Sequence, residues 1–127
     1  MWKLDGLTEY DIRRPMVPTG TNLLGLVKHV ASVELGYFGD CFGRPYDEPL
    51  PWLEDDAEPN ADMWATADES REQIVGLYRR AWAHADATID ALTTSIRHLS
   101  SLTGFEGLPG SFDFDFVLGR ASRSVLA

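Results

Sequence analysis

The sequence predicts an all-α fold, because its two most regular segments carry apolar residues at helical spacing. In the segment 21–39, apolar side chains recur at steps of three and four, which places them on one face of a helix. The segment 67–92 shows the same period. A chain of 127 residues forms one domain at most, and it is long enough to bury a core. We therefore predict a single, mostly helical domain.

The first predicted helix carries a histidine at the border of its apolar stripe. Thr21 or Asn22 can cap the helix, since a short side-chain oxygen there accepts a hydrogen bond from a free backbone N–H. The helix is expected to end near Gly39 or Gly43. From this position the His29 imidazole can point into a cavity between helices, and we expect it to be either a hydrogen-bonded half-buried group or one ligand of a metal ion. The predicted core stripe consists of Leu23, Leu26, Val27, Val30, Val33 and Tyr37.

The second predicted helix starts with a capping pattern. In Thr66-Ala-Asp-Glu69 the hydroxyl can serve the amide of the third helical residue, and Glu69 can reach back to the cap. The helix then runs to about residue 92. Its predicted apolar face consists of Ile74, Leu77, Tyr78, Ala81, Ala85, Thr88, Ile89 and Leu92.

Connecting segments surround the two helices. Residues 1–12 are predicted to be the end of a first helix followed by a turn, and 13–20 a linker with two prolines and a glycine. Residues 44–65 form a long proline-rich loop, which we expect Trp52 and Trp64 to anchor on the helices.

The last part of the chain differs from the rest in composition. From 93 to 127, serine, threonine and glycine are frequent, and residues 112–116 alternate between phenylalanine and aspartate at the period of a strand. We therefore divide the chain at residue 92, and we expect 93–127 to be a divergent, poorly ordered tail.

Charge and composition exclude several classes of function. The net charge is −9, and residues 40–70 hold ten acids against one base, so the excess lies in the loop. No basic patch is present to contact phosphates, so we expect no nucleic-acid partner. The sequence contains no run of 18 consecutive apolar residues, which is about the length that a membrane-spanning helix needs. The single cysteine, Cys41, excludes an internal disulfide, and together with the lack of a secretory signal it favours a cytoplasmic protein.

Several short sequences carry a resemblance to a known superfamily. Asn-Leu-Leu-Gly-Leu-Val-Lys-His-Val-Ala at 22–31, followed by Glu34 and by Gly-Tyr-Phe-Gly at 36–39, resembles the second helix of the DinB-like helical bundles. The likeness covers about residues 1–92 and is greatest to the branch related to mycothiol-dependent maleylpyruvate isomerase. It extends to Trp2–Leu7, Pro49–Trp52, Asp62–Thr66 and Tyr78–Trp82.

The resemblance implies a fold and a metal site. The fold is a DinB-like four-helix up-down-down-up bundle, here with a shortened first helix and an atypical or missing fourth helix. A divalent metal, zinc or nickel, is held in such bundles by three side chains, and the position of His29 matches one of them. The other two ligands lie one turn apart near the end of the last helix, and no such pair is visible after residue 92.

Two functions follow as alternatives. The resemblance implies a divalent-metal-dependent thiol S-transferase or isomerase that uses a mycothiol-like thiol, with impaired activity in this chain because its ligand set is incomplete. The alternative is a non-catalytic helical-bundle module that acts through protein association, for example as a homodimer.

The other candidate residues favour structural interpretations. We expect His84 to be a hydrogen-bonded histidine on the helix surface and His98 to be exposed or to act as a cap. Cys41 is expected to be a buried, inert thiol. Four polar residues mimic the start of a calcium loop, but the required glycine and glutamate are replaced by alanine. These four are Asp56, Glu58, Asn60 and Asp62.

Overall fold

The computed structural model of the protein describes residues 2–103, and every regular element in that range is helical. The α-helices are α1 (Glu9–Arg13), α2 (Leu23–Phe38) and α3 (Arg71–Thr103). Short 3₁₀ turns occur at Trp2–Leu4, Asp40–Phe42, Pro51–Leu53 and Ala61–Met63. Residues 6–90 form one compact unit, whereas 2–5 and 91–103 belong to a second. The helical prediction is confirmed for the described residues, none of whose helices is long and apolar enough to cross a membrane.

Asn22 caps α2 and ties it to two other segments. Its Oδ1 accepts hydrogen bonds from the backbone N–H groups of Gly25, at 2.7 Å, and Ala65, at 3.1 Å. Its Nδ2 donates to the carbonyls of Arg13 and Ala65. Asn22 is buried, and all these partners satisfy its amide. The predicted cap is therefore confirmed at Asn22, and it also fixes where the chain before α3 meets α2.

The prediction of which face of α2 lies in the core was wrong. Of the predicted stripe, only Val27 is buried, while Val30, Val33 and Tyr37 are 45%, 40% and 65% exposed. The buried apolar residues of α2 are Leu24, Val27, Ala31 and Leu35. The reason is that α2 has apolar side chains on two different faces, and periodicity alone cannot tell which face the chain covers.

Gly25 explains why the loop packs where it does. A Cβ atom at Gly25 would overlap the backbone of Met63 and Trp64, so only glycine allows this approach. The backbone N–H of Asn22 also donates to the Met63 carbonyl, at 3.2 Å. The 3₁₀ turn Ala61–Met63 is thereby held against the first turn of α2.

The apolar face of α3 is as predicted, but both ends of the helix differ. All the predicted residues are buried except Leu92, which is half-buried. The helix starts at Arg71 rather than near 67, because Ser70 and Gln73 form the reciprocal capping bonds at 3.1 and 2.7 Å. It continues past 92 to Thr103, since no proline or glycine interrupts 93–103. The predicted strand-like segment 112–116 lies outside the described residues.

The start of the chain also differs from the prediction. Instead of the end of a first helix, the 3₁₀ turn Trp2–Leu4 is followed by Gly6, with φ +79°, and by the short α1. Thr8 and Asp11 cap α1 reciprocally. A glycine in the left-handed region ends one helical turn before another begins, so a continuous helix cannot form there.

The expected anchoring of the long loop is confirmed for Trp52. Its Nε1 donates a hydrogen bond to Ser32 Oγ on α2, at 2.9 Å, and its side chain is half-buried. Trp64 is likewise half-buried. The loop therefore folds back onto α2 rather than extending into solvent.

Candidate functional site

His29 and Asp62 form a close pair on the surface of α2. His29 Nδ1 lies 2.6 Å from Asp62 Oδ2, with the side chains 39% and 19% exposed. A carboxylate only accepts hydrogen bonds, so Nδ1 carries the proton in this contact. In the neutral imidazole Nε2 then holds the lone pair, which is the arrangement that a carboxylate gives to a metal-ligating or proton-accepting histidine.

The fold brings the two residues together across 33 positions of sequence. His29 stands in the middle of the rigid helix α2, and Asp62 is the central residue of the 3₁₀ turn Ala61–Met63. The contacts of this turn with Asn22 and Gly25 set its place, and Asn60 precedes it with φ +61°. In the sequence, Asp62 belongs only to an incomplete calcium-loop pattern, which gives no sign of its contact with His29.

The residue next to His29 makes a second, buried pair. Lys28 is 2% exposed, and its Nζ donates to both carboxylate oxygens of Glu69, at 3.0 and 3.1 Å. The ammonium group also lies 4.8 Å from the centre of the Trp52 ring, close enough for a cation–π contact. Ser32 Oγ donates to the Lys28 carbonyl while accepting from Trp52. Nothing in the sequence pattern marked Lys28 as buried.

A cleft of about 320 Å³ lies beside this buried pair. Neither His29 nor Asp62 lines it. Its walls combine carboxylates with apolar side chains, and they consist of Glu48, Pro49, Trp52, Asp68, Glu69, Gln73, Ile74, Leu77 and Arg80. This volume is at the lower end of the range for small-molecule sites.

One wall of the cleft is fixed by a surface ion pair. Arg80 donates to both oxygens of Glu48, at 2.7 and 3.0 Å, and to the Tyr46 hydroxyl. The hydrogen bonds from Arg80 and then from Tyr46 hold the pKa of Glu48 below its ordinary value. Desolvation, followed by the bond to Glu48, raises the pKa of Tyr46. The pair connects the long loop to the first third of α3.

The described residues do not complete a metal centre. Within 2–103, no three histidine, cysteine, aspartate or glutamate side chains come close enough together to hold an ion. His84 Nε2 lies 2.7 Å from the Arg44 carbonyl, and His98 is exposed, as expected for both. Zinc and nickel sites need about three protein donors. His29 and Asp62 therefore fit part of such a site and not the whole.

The prediction that Cys41 is buried was wrong. The thiol was expected to be buried, but it is exposed in the 3₁₀ turn Asp40–Phe42. The reason is that α2 ends at Phe38, and the turn that follows stacks Phe42 on Phe38 instead of burying the cysteine.

Comparison with known proteins identifies the family. The sequence model described as mycothiol S-transferase matches residues 1–101. No curated protein and no solved structure matches the chain significantly. The match includes α2 with His29, the turn with Asp62 and nearly all of α3. The chain therefore belongs to the mycothiol S-transferase family, one of the DinB-like families.

Proposed function

We propose that this chain is a mycothiol-type thiol S-transferase or isomerase whose activity is impaired because its metal site is incomplete. Family membership supports the thiol class of the substrate. The observation that carries the proposal is the His29–Asp62 pair, in which a carboxylate orients an imidazole at the position of a family ligand. A divalent ion, zinc or nickel, would supply Lewis-acid chemistry if it were bound.

The proposal includes the arrangement of helices that the family implies. We place α2 and α3 as two members of a DinB-like four-helix up-down-down-up bundle in a cytoplasmic protein. Their buried faces and the loop bound to α2 are consistent with such a bundle.

The impairment follows from the number of donors. One imidazole cannot retain a divalent ion at low free concentration, and the described residues add only Asp62 beside it. Without a metal ion, His29 can still act as a base that Asp62 holds in place. Nε2 can accept the proton of a thiol S–H, whose pKa is ordinarily about 8.5, leaving a thiolate and an imidazolium that Asp62 stabilises.

The test is mycothiol consumption by the full chain in the presence of an electrophile and added zinc or nickel. We expect mycothiol to be consumed no faster than in buffer that contains the metal and the electrophile but no protein. Metal-dependent turnover that is lost in His29→Ala would contradict the proposed impairment.

The thiol assignment is tested separately by NMR titration with mycothiol alone. We expect the imidazole signals of His29 to shift while those of His84, which is engaged by the Arg44 carbonyl, stay in place. Mycothiol that leaves the His29 signals unchanged at millimolar concentration would contradict the assignment.

A second candidate function is a non-catalytic helical-bundle module that acts through protein association. The specific observation in its favour is the exposure of Val30, Val33 and Tyr37 on α2. A solvent-facing helix surface ordinarily carries polar side chains at such positions.

A further inference from the structure

The segment 45–60 of the long loop is held to the helices by side chains and not by its backbone. Within residues 2–103, each hydrogen bond of its backbone joins positions three apart in local turns. None of its residues is buried, and those that are half-buried are Tyr46, Leu50, Trp52 and Ala57. A segment with an exposed backbone and few buried contacts opens at a lower free energy than the helices beside it.

Both ends of this segment are fixed. At one end, the backbone N–H of Arg44 donates to the Gly39 carbonyl at 2.9 Å, and its Nε donates to Thr88 Oγ1 at 3.1 Å. At the other end, the Met63 carbonyl accepts a hydrogen bond from the backbone N–H of Asn22. The segment between these ends can therefore move without displacing either helix.

Two polar contacts fasten the segment, one on each helix. Trp52 Nε1 donates to Ser32 Oγ on α2 at 2.9 Å, and Glu48 accepts from Arg80 on α3 at 2.7 and 3.0 Å. The side chains of Arg80 and Glu48 are 50% and 43% exposed, so water competes with this ion pair. The Tyr46 ring adds an edge contact with a histidine ring of α3, at 5.5 Å between centroids. These fastenings can be released one at a time.

A cleft lies on either side of the segment. The cleft of about 320 Å³ beside α3 has a counterpart of about 280 Å³ beside α2, and Glu48 and Pro49 line both. The Trp52 ring lies over the ammonium group of Lys28, which is 4.8 Å from its centre and is 2% exposed. Lifting the segment would join the two clefts and uncover Lys28.

We propose that segment 45–60 is a lid that opens between the fixed ends Arg44 and Met63, joins the two clefts into one groove between α2 and α3, and exposes Lys28. The floor that it uncovers includes the Lys28–Glu69 ion pair. Water solvates these charges, so opening costs less than the exposure of a purely apolar core. Movable loops above clefts of this kind admit and enclose a ligand.

The lid borders the candidate site. Its turn Pro51–Leu53 lies against the turn Ala61–Met63, which carries Asp62. Opening removes this contact, whereas the hydrogen bond from Asn22 still holds the second turn on α2. The lid therefore opens without breaking the His29–Asp62 pair, and the proposal does not rest on thiol transfer.

The test is acetylation of the full chain by N-acetoxysuccinimide at constant pH, with each lysine followed by mass spectrometry. The chain has two lysines, and the exposed Lys3 supplies the rate of an accessible amine. We expect Lys28 to react at least about tenfold more slowly than Lys3, through opening of the lid. Its rate should rise only weakly with urea, because lid opening exposes far less surface than global unfolding.

Two variants release the fastenings. Arg80→Gln frees a contact that does not touch Lys28, and it should accelerate the acetylation of Lys28 about twofold. Ser32→Ala leaves Trp52 Nε1 without its acceptor and should accelerate it about fivefold. The matched control is Arg79→Gln, which removes the same charge from the preceding position of α3. Arg79 is exposed and lines neither cleft, so this variant should react like the wild type.

Three outcomes would overturn the lid. The first is a wild-type Lys28 whose acetylation has the urea dependence of global unfolding, and the second is a Lys28 that reacts as fast as Lys3. The third is an Arg80→Gln protein that reacts no faster than Arg79→Gln. Urea unfolding of each variant, followed by circular dichroism, measures global stability and so separates faster opening of the lid from loss of the fold.

Discussion

Lys28 and His29 are neighbours on α2, both are basic, and both pair with an acidic residue from the chain that precedes α3. They differ in burial. Lys28 is 2% exposed and is enclosed by Glu69 and the Trp52 ring, whereas His29 is 39% exposed and bonds through Nδ1 alone among residues 2–103. The comparison shows that the environment of a basic residue, and not its charge, decides whether it serves the fold or remains available for chemistry.

The two pairs should also differ in their contribution to stability. A buried charge that loses its partner is costly, because desolvation is no longer offset. A half-exposed pair gains little in water and loses little when broken. Removing a partner from each pair therefore separates a structural contact from one that is kept for another reason.

The largest expected effect is that of Glu69→Ala. The change leaves Lys28 buried without a counter-charge, and it should lower the free energy of unfolding by about 3 kcal/mol. Urea unfolding followed by circular dichroism measures it. The double variant Lys28→Met/Glu69→Leu is the control, and it should recover most of the loss. A cost below about 1 kcal/mol for Glu69→Ala would remove the distinction between the two pairs.

The second largest expected loss of stability is that of Gly25→Ala. The added methyl group meets the Met63 backbone, so the variant should lose about 2 kcal/mol and move Asp62 away from His29. The matched control is Gly36→Ala in the same helix, where nothing lies within 4 Å of the added Cβ. That variant should gain about 0.5–1 kcal/mol from the better helix former. Equal effects of the two substitutions would contradict the close approach of the loop.

Substitutions in the half-exposed His29–Asp62 pair should cost little stability. They should instead change which nitrogen of the imidazole carries the proton. His29→Ala and Asp62→Ala should each change the free energy of unfolding by less than about 1 kcal/mol. The nitrogen NMR spectrum of neutral His29 should show the proton on Nδ1 in the wild type and a shift towards Nε2 in Asp62→Ala. A wild-type imidazole protonated on Nε2 would refute the orientation given to the site.

The smallest expected loss of stability comes from breaking the Glu48–Arg80 ion pair. Its hydrogen bonds hold the pKa of Glu48 below the ordinary 4.5, so its stabilisation is present above that pH and is lost as the pH falls through the lower value in the folded state. Glu48→Gln should therefore cost about 0.5 kcal/mol near neutral pH and less in acid. A cost that does not change with pH would show that the charge of Glu48 contributes nothing.

The sequence predicted α3 better than α2 for a physical reason. α3 has one apolar face, so its period identifies the buried residues from Ile74 to Ile89. In α2 two faces are apolar, and the face that is covered depends on contacts made far along the chain, such as the loop backbone at Gly25. For this reason the most regular apolar stripe of α2 predicts the wrong face as the buried one.

The candidate site was predictable only in part. His29 could be identified from its position in a family pattern, but Asp62 could not, because the two residues meet only after the loop has folded onto α2. The burial of Lys28 depends in the same way on Glu69 and Trp52, which approach it from two other segments. No local pattern encodes such contacts.

The most direct test of the account is the metal content of the full chain. Wild type and His29→Ala would be equilibrated with zinc or nickel, desalted and subjected to elemental analysis. We predict that neither protein retains a stoichiometric ion, because His29 is an oriented ligand without the further donors that a stable site needs. One equivalent of metal in the wild type that is lost in His29→Ala would contradict this account and would show that the centre is complete.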